Sequence, residues 1–255
     1  MLVVLLVAVV GGVVWQVLRQ REPVYLGRPL SIWLEGYTSR AGASPDRQEA
    51  EAAVYHAGTN ALPMLLAMLG SEDSRFQQRF QGLIRGLPLV RFHFTSPTHR
   101  HYRALFALDT LGPAAAPAVP RLIQMLQGTN TEIKCCAAQA LGSLGAEERV
   151  IVPALTNVLH DRDYMVRESI AENLGRIRKE PAVAIPALTG QLIACTNTTE
   201  FLAVSLALSK FGTNAGPAVP TLLQRLADPN SVVRHAAADA LIAMDPEAAA
   251  KAGVK

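Results

Sequence analysis

Aromatic side chains are scarce: they make up 5% of the 255 residues, and both tryptophans, Trp15 and Trp33, lie near the start. A core of this size must then be filled mainly by alanine and leucine, as in stacked helices. Cysteine is scarcer still. Cys135, Cys136 and Cys195 form an odd set with one vicinal pair, which argues against a disulfide framework and reads as small buried apolar residues. Charge of either sign is in short supply at 18%, and the net charge of +3 is too small a bias to argue for nucleic acid. No phosphate-cradling P-loop, dinucleotide G-x-G-x-x-G or G-x-S-x-G nucleophile elbow occurs. What is abundant is hydrophobic residues, at 50%, too many for a disordered chain.

The first 18 residues, MLVVLLVAVVGGVVWQVL, carry no charge and reach the short end of a membrane-spanning helix. Trp15 stands where an interfacial aromatic belongs, and Arg19 and Arg21 follow at once. A basic start and a small-residue exit, which a cleavable leader needs, are both missing, so residues 1–18 are expected to be an uncleaved anchor in the lipid bilayer. The other reading is a buried core helix. The two arginines predict a cytoplasmic position for the rest of the chain, and basic residues upstream of Met1 would reverse it.

The remainder repeats. Pro120, Pro153, Pro186 and Pro220 each open a P-x-L segment ("VPRLIQML", "VPALTNVL", "IPALTGQL", "VPTLLQRL"), spaced 33, 33 and 34 residues apart. Pro63 in "LPMLLAML" stands 57 residues before Pro120, one period plus about two dozen residues. Between the prolines runs a second pattern: a capping residue, a pair such as Val-Arg, then alanine and leucine at helical spacing. "DRDYMVRESIAENLGRI" and "DPNSVVRHAAADALIAM" show it most clearly. Asp, Ser or Thr oxygens at the start accept from first-turn amides, and Gly112, Gly145, Gly175 and Gly212 are expected to end these helices at positive φ. Each unit is thus a helical hairpin that can bury its apolar face only against its neighbours.

The combination D-x-x-V-R, A-x-A-L-G-x-L-G and P-x-L-x-x-L resembles the HEAT-like repeats of bacterial proteins, including the short phycobilisome-lyase type. The resemblance covers about residues 45–245 and implies an all-α, right-handed α-solenoid of about five to six hairpins, with an extended concave surface for partners. It is specific for fold and unspecific for function. HEAT-like enzymes that hydroxylate a protein lysine bind iron through repeated His-Glu dipeptides, and this sequence has none. HEAT-like DNA glycosylases need an acidic residue beside an aromatic cleft, and the aromatics here are scattered. No motif identifies a pigment site.

The expected organisation is therefore an anchor at 1–18, a linker and short capping helix at 19–45, a repeat region at 46–245 and a tail at 246–255. Within the linker, Leu26–Tyr37 reads as a helix capped by Ser31, with Leu30, Ile32, Trp33 and Leu34 partly buried over the first repeat. The repeat region carries an enlarged unit, with a basic, aromatic insertion at about 70–103. From Arg75 to Leu108 there are six arginines and no carboxylate, with three of the six histidines and five of the seven phenylalanines. Arg75, Arg79, Arg85, Arg91, Phe92, Phe94, His99, Arg100, His101 and Arg103 are the candidate partner-binding residues, since guanidinium beside aromatic rings suits both anionic ligands and protein anchors. The plainer reading makes Asp73–Leu87 an amphipathic helix whose arginines face solvent. His99 and His101 lack a cysteine or carboxylate to complete a metal shell. Arg167 and Arg234, each after a valine, are expected to brace successive repeats rather than touch a ligand.

No catalytic residue, metal or cofactor is expected. The function this supports is a non-catalytic, membrane-tethered scaffold or adaptor that binds another protein. The alternatives are a lyase- or chaperone-like activity on a chromophore-bearing protein, or binding of an anionic ligand or nucleic acid through the basic insertion. The last would show as affinity falling steeply with salt.

Overall fold

The structure, a computed structural model, describes residues 22–38, 46–71 and 97–254. Helix dominates, and the chain divides into two units, Met1–Leu111 and Gly112–Lys255. The expected anchor at 1–18 lies outside the described residues, and no helix among those described is long and apolar enough to cross a membrane.

In the first unit a small antiparallel ribbon, β1 (Val24–Tyr25) and β2 (Arg28–Pro29), precedes a short helix α1 (Leu30–Trp33) and a 3-10 turn (Leu34–Tyr37). The all-α expectation is corrected to this extent. The ribbon turns through Leu26 and Gly27, both at positive φ. Its strands are too short to leave the alternating pattern that betrays a strand in sequence. The helix begins two residues earlier than expected: its N-cap is Pro29, and the Ser31 amide instead donates to the Glu22 carboxylate. Leu30, Trp33 and Leu34 are buried, whereas Ile32 faces out. Trp33 Nε1 donates to the Tyr25 carbonyl at 3.0 Å, which fastens the ribbon to the helix. This assembly packs on α2 (Arg47–Ala57), and its 3-10 turn also meets α4 (Pro97–Leu111). Helix α2 opens with a reciprocal capping box between Asp46 and Glu49. The hairpin partner of α4 is α3 (Leu62–Leu69).

The second unit stacks four hairpins. They are α5 (Val119–Leu126) with α6 (Thr131–Ser143), α7 (Glu148–Val158) with α8 (Tyr164–Ile177), α9 (Pro181–Ala194) with α10 (Thr198–Ser209), and α11 (Val219–Arg225) with α12 (Ser231–Met244). Helices α6, α8, α10 and α12 lie side by side in one layer. Helices α5, α7 and α9 form the other, and α9 continues onto the 3-10 turn Gly212–Ala218 that leads into α11. Between the layers sit leucines such as Leu122, Leu141, Leu155, Leu174, Leu188, Leu208, Leu222 and Leu241. Each contributes about 1.5–3 kcal/mol by leaving water. Ala137, Ala171, Ala207 and Ala237 line the seams of the layer formed by α6, α8, α10 and α12 and let its helices approach. The last residues form a further helix, α13 (Pro246–Lys251), capped by Asp245 and packed on α12 with Ala249 buried.

Caps and joints share side chains. Asn130, Asp163, Asn197 and Asn230 each accept from first-turn amides of their own helices. Two of them also reach the preceding hairpin. Thr131 donates to Asp163 at 2.6 Å, and Asn230 Nδ2 donates to Thr198 Oγ1 at 3.0 Å. Lys134 pairs with Asp161 at 2.6 Å across the same joint as Thr131. Burial alone would raise the Asp161 carboxyl, but the Lys134 ammonium and the Asp163 amide outweigh it and hold it below the usual range. The joint between α8 and α10 is different. Arg167 makes a two-pronged contact with Glu200, at 2.8 and 2.7 Å, and donates to the carbonyls of Asp161 and Arg162. Arg234 likewise donates to the carbonyls of Asp228 and Pro229. Arg167 thus braces successive repeats as expected, whereas the bonds of Arg234 close the loop of its own hairpin.

Gly112, Gly145 and Gly212 end their segments at positive φ, as expected. Gly175 does not: it lies inside α8, and Arg178 takes the left-handed position at φ 51°. A Cβ on Gly175 would stand 2.7 Å from the Cα of Ala207 on α10, so this glycine serves close helix contact.

Candidate interaction surface

Six of the ten candidate residues, Arg75, Arg79, Arg85, Arg91, Phe92 and Phe94, lie outside the described residues. The other four sit on the first two turns of α4, so residues 97–103 belong to a packed helix. His101 is 3% exposed and donates from Nε2 to the Ser71 carbonyl at 2.9 Å. Arg100 Nε donates to the Ser71 hydroxyl at 3.1 Å. Together they tie Ser71 to the start of α4. Arg103 donates to Thr38 at 2.9 Å and lies 3.7 Å from Glu35, which ties the 3-10 turn to α4. His99 is exposed. The structure thus brings Arg100 and His101 together on Ser71 and gives Arg103 a separate task. Phe106, from the same stretch, is half-exposed, stacks on Tyr37 at 5.7 Å and lies under the Arg47 guanidinium.

A different surface on the second unit went unread in the sequence. Helices α8, α10 and α12 enclose an open groove of about 440 Å³. Its floor is apolar: Leu202, Ala203 and Leu206 of α10 with Ala236 and Ala240 of α12. Leu202 is 36% exposed and Leu206 56%, one turn apart on the middle helix. Carboxylates stand on both banks, Glu168 and Glu172 on α8 and Asp239 on α12. Burial against α10, followed by repulsion from Glu168, raises the Glu172 carboxyl, and Lys210 opposes the shift. None of the three carboxylates takes part in an ion pair among the described residues.

The groove's hydroxyls are already engaged. Ser205 donates to the Phe201 carbonyl at 2.7 Å, Ser209 to the Leu206 carbonyl at 2.8 Å, and Thr199 to Asn197 Oδ1 at 2.7 Å. What the lining offers a visitor is therefore hydrogen-bond acceptors, with full negative charge only at the three carboxylates. A smaller opening of about 350 Å³ lies at the helix ends around Arg178, Lys179 and Lys210, beside Phe211 and Asn214. Burial pushes the Cys136 thiol up to about 12 and that of Cys195 to about 11, well away from a reactive thiolate. Among the described residues, no three His, Cys, Asp or Glu side chains come together as a metal ion would require. The single clue to the groove in sequence is Glu168 with Glu172, like charges one turn apart on a helix, which repel unless a third group compensates.

No curated protein matches the chain. Among solved structures it is similar to one described as the crystal structure of an engineered protein, 20% identical, covering 88% of this chain and 97% of that one with a TM-score of 0.48. Residues 119–205 match the family described as HEAT repeats and residues 218–246 the HEAT repeat family, and neither description specifies a lyase or a chromophore. These two segments, spanning α5 to α10 and then α11 with α12, match HEAT-repeat families.

Proposed function

We propose that the chain is a non-catalytic scaffold or adaptor, tethered to a membrane by residues 1–18, whose HEAT-repeat unit holds another protein on the cytoplasmic side. The observation that carries this reading is the groove across α8, α10 and α12, with exposed leucines on its floor and carboxylates on its banks. HEAT repeats commonly mediate protein interactions, and a layer of parallel-stacked helices is the surface on which they do so. The acidic banks repel phosphate backbones, which disfavours nucleic acid on this face. The uncharged run before Arg19 and Arg21, with Trp15 at its end, supports the tether and its orientation. In this reading the basic stretch from Arg75 to Phe94 is a second contact surface, supported by its four arginines and lack of carboxylates.

Two measurements test the proposal. Deleting residues 2–18 is expected to move the chain from the carbonate-washed membrane pellet to the supernatant; a chain that stays in the pellet refutes the tether. Crosslinked capture from intact cells is expected to yield a defined set of proteins that Leu202→Asp with Leu206→Asp loses. Arg85→Glu with Arg91→Glu probes the basic stretch in parallel. A captured set unchanged by either pair of substitutions rejects the scaffold reading.

A further inference from the structure

We infer that the groove receives a single amphipathic α-helix of a partner protein, lying along α10, with an apolar stripe bordered on both sides by lysine or arginine. This rests on the scaffold reading above and names the chemistry of its partner.

The argument is one of layout. Leu202 and Leu206 form a short exposed stripe along the middle helix, while Glu168 and Glu172 rise from one neighbour and Asp239 from the other. Packed helices lie about 8–10 Å apart, so the two banks are separated by roughly 16–20 Å. That is room for one helix of about 10–12 Å diameter with its side chains, and not for two. Helix α10 has 12 residues, so the matching stripe is about three turns long.

Charge then selects the occupant. Because the serine and threonine hydroxyls bond within α10 or to its cap, a visitor finds apolar surface and carboxylates and little else. An acidic helix is repelled. A neutral one would cover the carboxylates without answering them, which costs more than leaving them in water. Cations on both flanks answer both banks at once and relieve the repulsion between Glu168 and Glu172.

The probe is a synthetic 16-residue helical peptide with leucine at positions 3, 7, 10 and 14, lysine on either side of that stripe and alanine elsewhere. Its twin has every lysine changed to glutamate. Binding of each to the full chain in a non-ionic detergent is read by fluorescence anisotropy. The lysine peptide is expected to bind, with its twin at least about tenfold weaker. Glu168→Gln with Glu172→Gln and Asp239→Asn is expected to cost the lysine peptide at least about tenfold, and so is Leu202→Ser with Leu206→Ser. All five side chains lie on an open surface, and an unchanged thermal transition confirms that each variant folds. No binding of the lysine peptide, equal binding of the twins, or full affinity in the triple variant overturns the inference. So does a full-chain dimer, seen in sedimentation, that the triple variant dissolves, since the occupant is then a second copy. Cellular capture that depends on Leu202 and Leu206 without peptide binding leaves the scaffold reading standing and removes this one. Peptide binding without such capture does the reverse.

Discussion

Replacing Arg167 with alanine is expected to destabilise the second unit by about 3–5 kcal/mol, because it strands a carboxylate in the interior. Glu200 is 0% exposed, and its oxygens are held by two bonds from Arg167 and one from Gln191. Without the guanidinium one amide remains against a full negative charge. The same change frees the carbonyls of Asp161 and Arg162, which Arg167 also holds at the start of α8. Pairing with Glu200, together with the nearby carboxylates, outweighs burial and raises the Arg167 guanidinium above its usual value. Urea unfolding followed by circular dichroism reads the loss. The double variant Arg167→Met with Glu200→Leu is expected to recover most of it, since removing both charges removes the desolvation problem as well. A loss under about 1 kcal/mol in the single variant would show the pair to be a surface bridge in its energetics.

The second large effect concerns glycine. In an exposed helix interior, glycine to alanine stabilises by up to about 1 kcal/mol. Gly190, in α9 with nothing within 4 Å of an added Cβ, is expected to follow that rule. Gly175 is expected to reverse it. A Cβ there would lie 2.7 Å from the Cα and 2.9 Å from the Cβ of Ala207, and the Cα is backbone that cannot swing aside. Gly175→Val should therefore cost about 3 kcal/mol, near the upper end for overpacking, by forcing α8 and α10 apart. Ala207→Gly rescues little, because it removes only the Cβ contact. The melting temperatures of Gly190→Ala, Gly175→Ala and Gly175→Val check the set. A Gly175→Ala variant as stable as Gly190→Ala would refute the close contact.

That same glycine shows where sequence reading stopped. The prolines at a spacing of 33 to 34 residues located α5, α7, α9 and α11, because a fixed period is a property of the chain itself. The Leu-Gly pair in "ENLGRI" looked like the Leu-Gly stop in "GSLG". It corresponds instead to Leu141-Gly142, three residues earlier in the repeat, where Gly142 meets Asn173 just as Gly175 meets Ala207. The true stop in this repeat is Arg178, which adopts the left-handed region without being glycine, and no residue-type signal announces that. The groove was unreadable for a related reason. Glu172 and Asp239 are 67 residues apart and become the two banks of one surface only when the two hairpins that follow α8 stack beside it in the same layer. Conversely, His101 and Arg103 stood out by composition, yet that composition serves local packing against Ser71 and Thr38.

The joints between hairpins are not copies of one another. Between α6 and α8 the polar partners are Thr131 with Asp163 and Lys134 with Asp161; between α8 and α10, Arg167 with Glu200; between α10 and α12, Thr198 with Asn230. Repeats alike in shape are thus keyed like different locks. A molecule that exchanged a hairpin with its twin one step out of register would keep its greasy seams but leave Asp161 or Glu200 without a cation. In such an exchange these few side chains favour the matching hairpin, while the alanines and leucines that supply most of the cohesion discriminate far less.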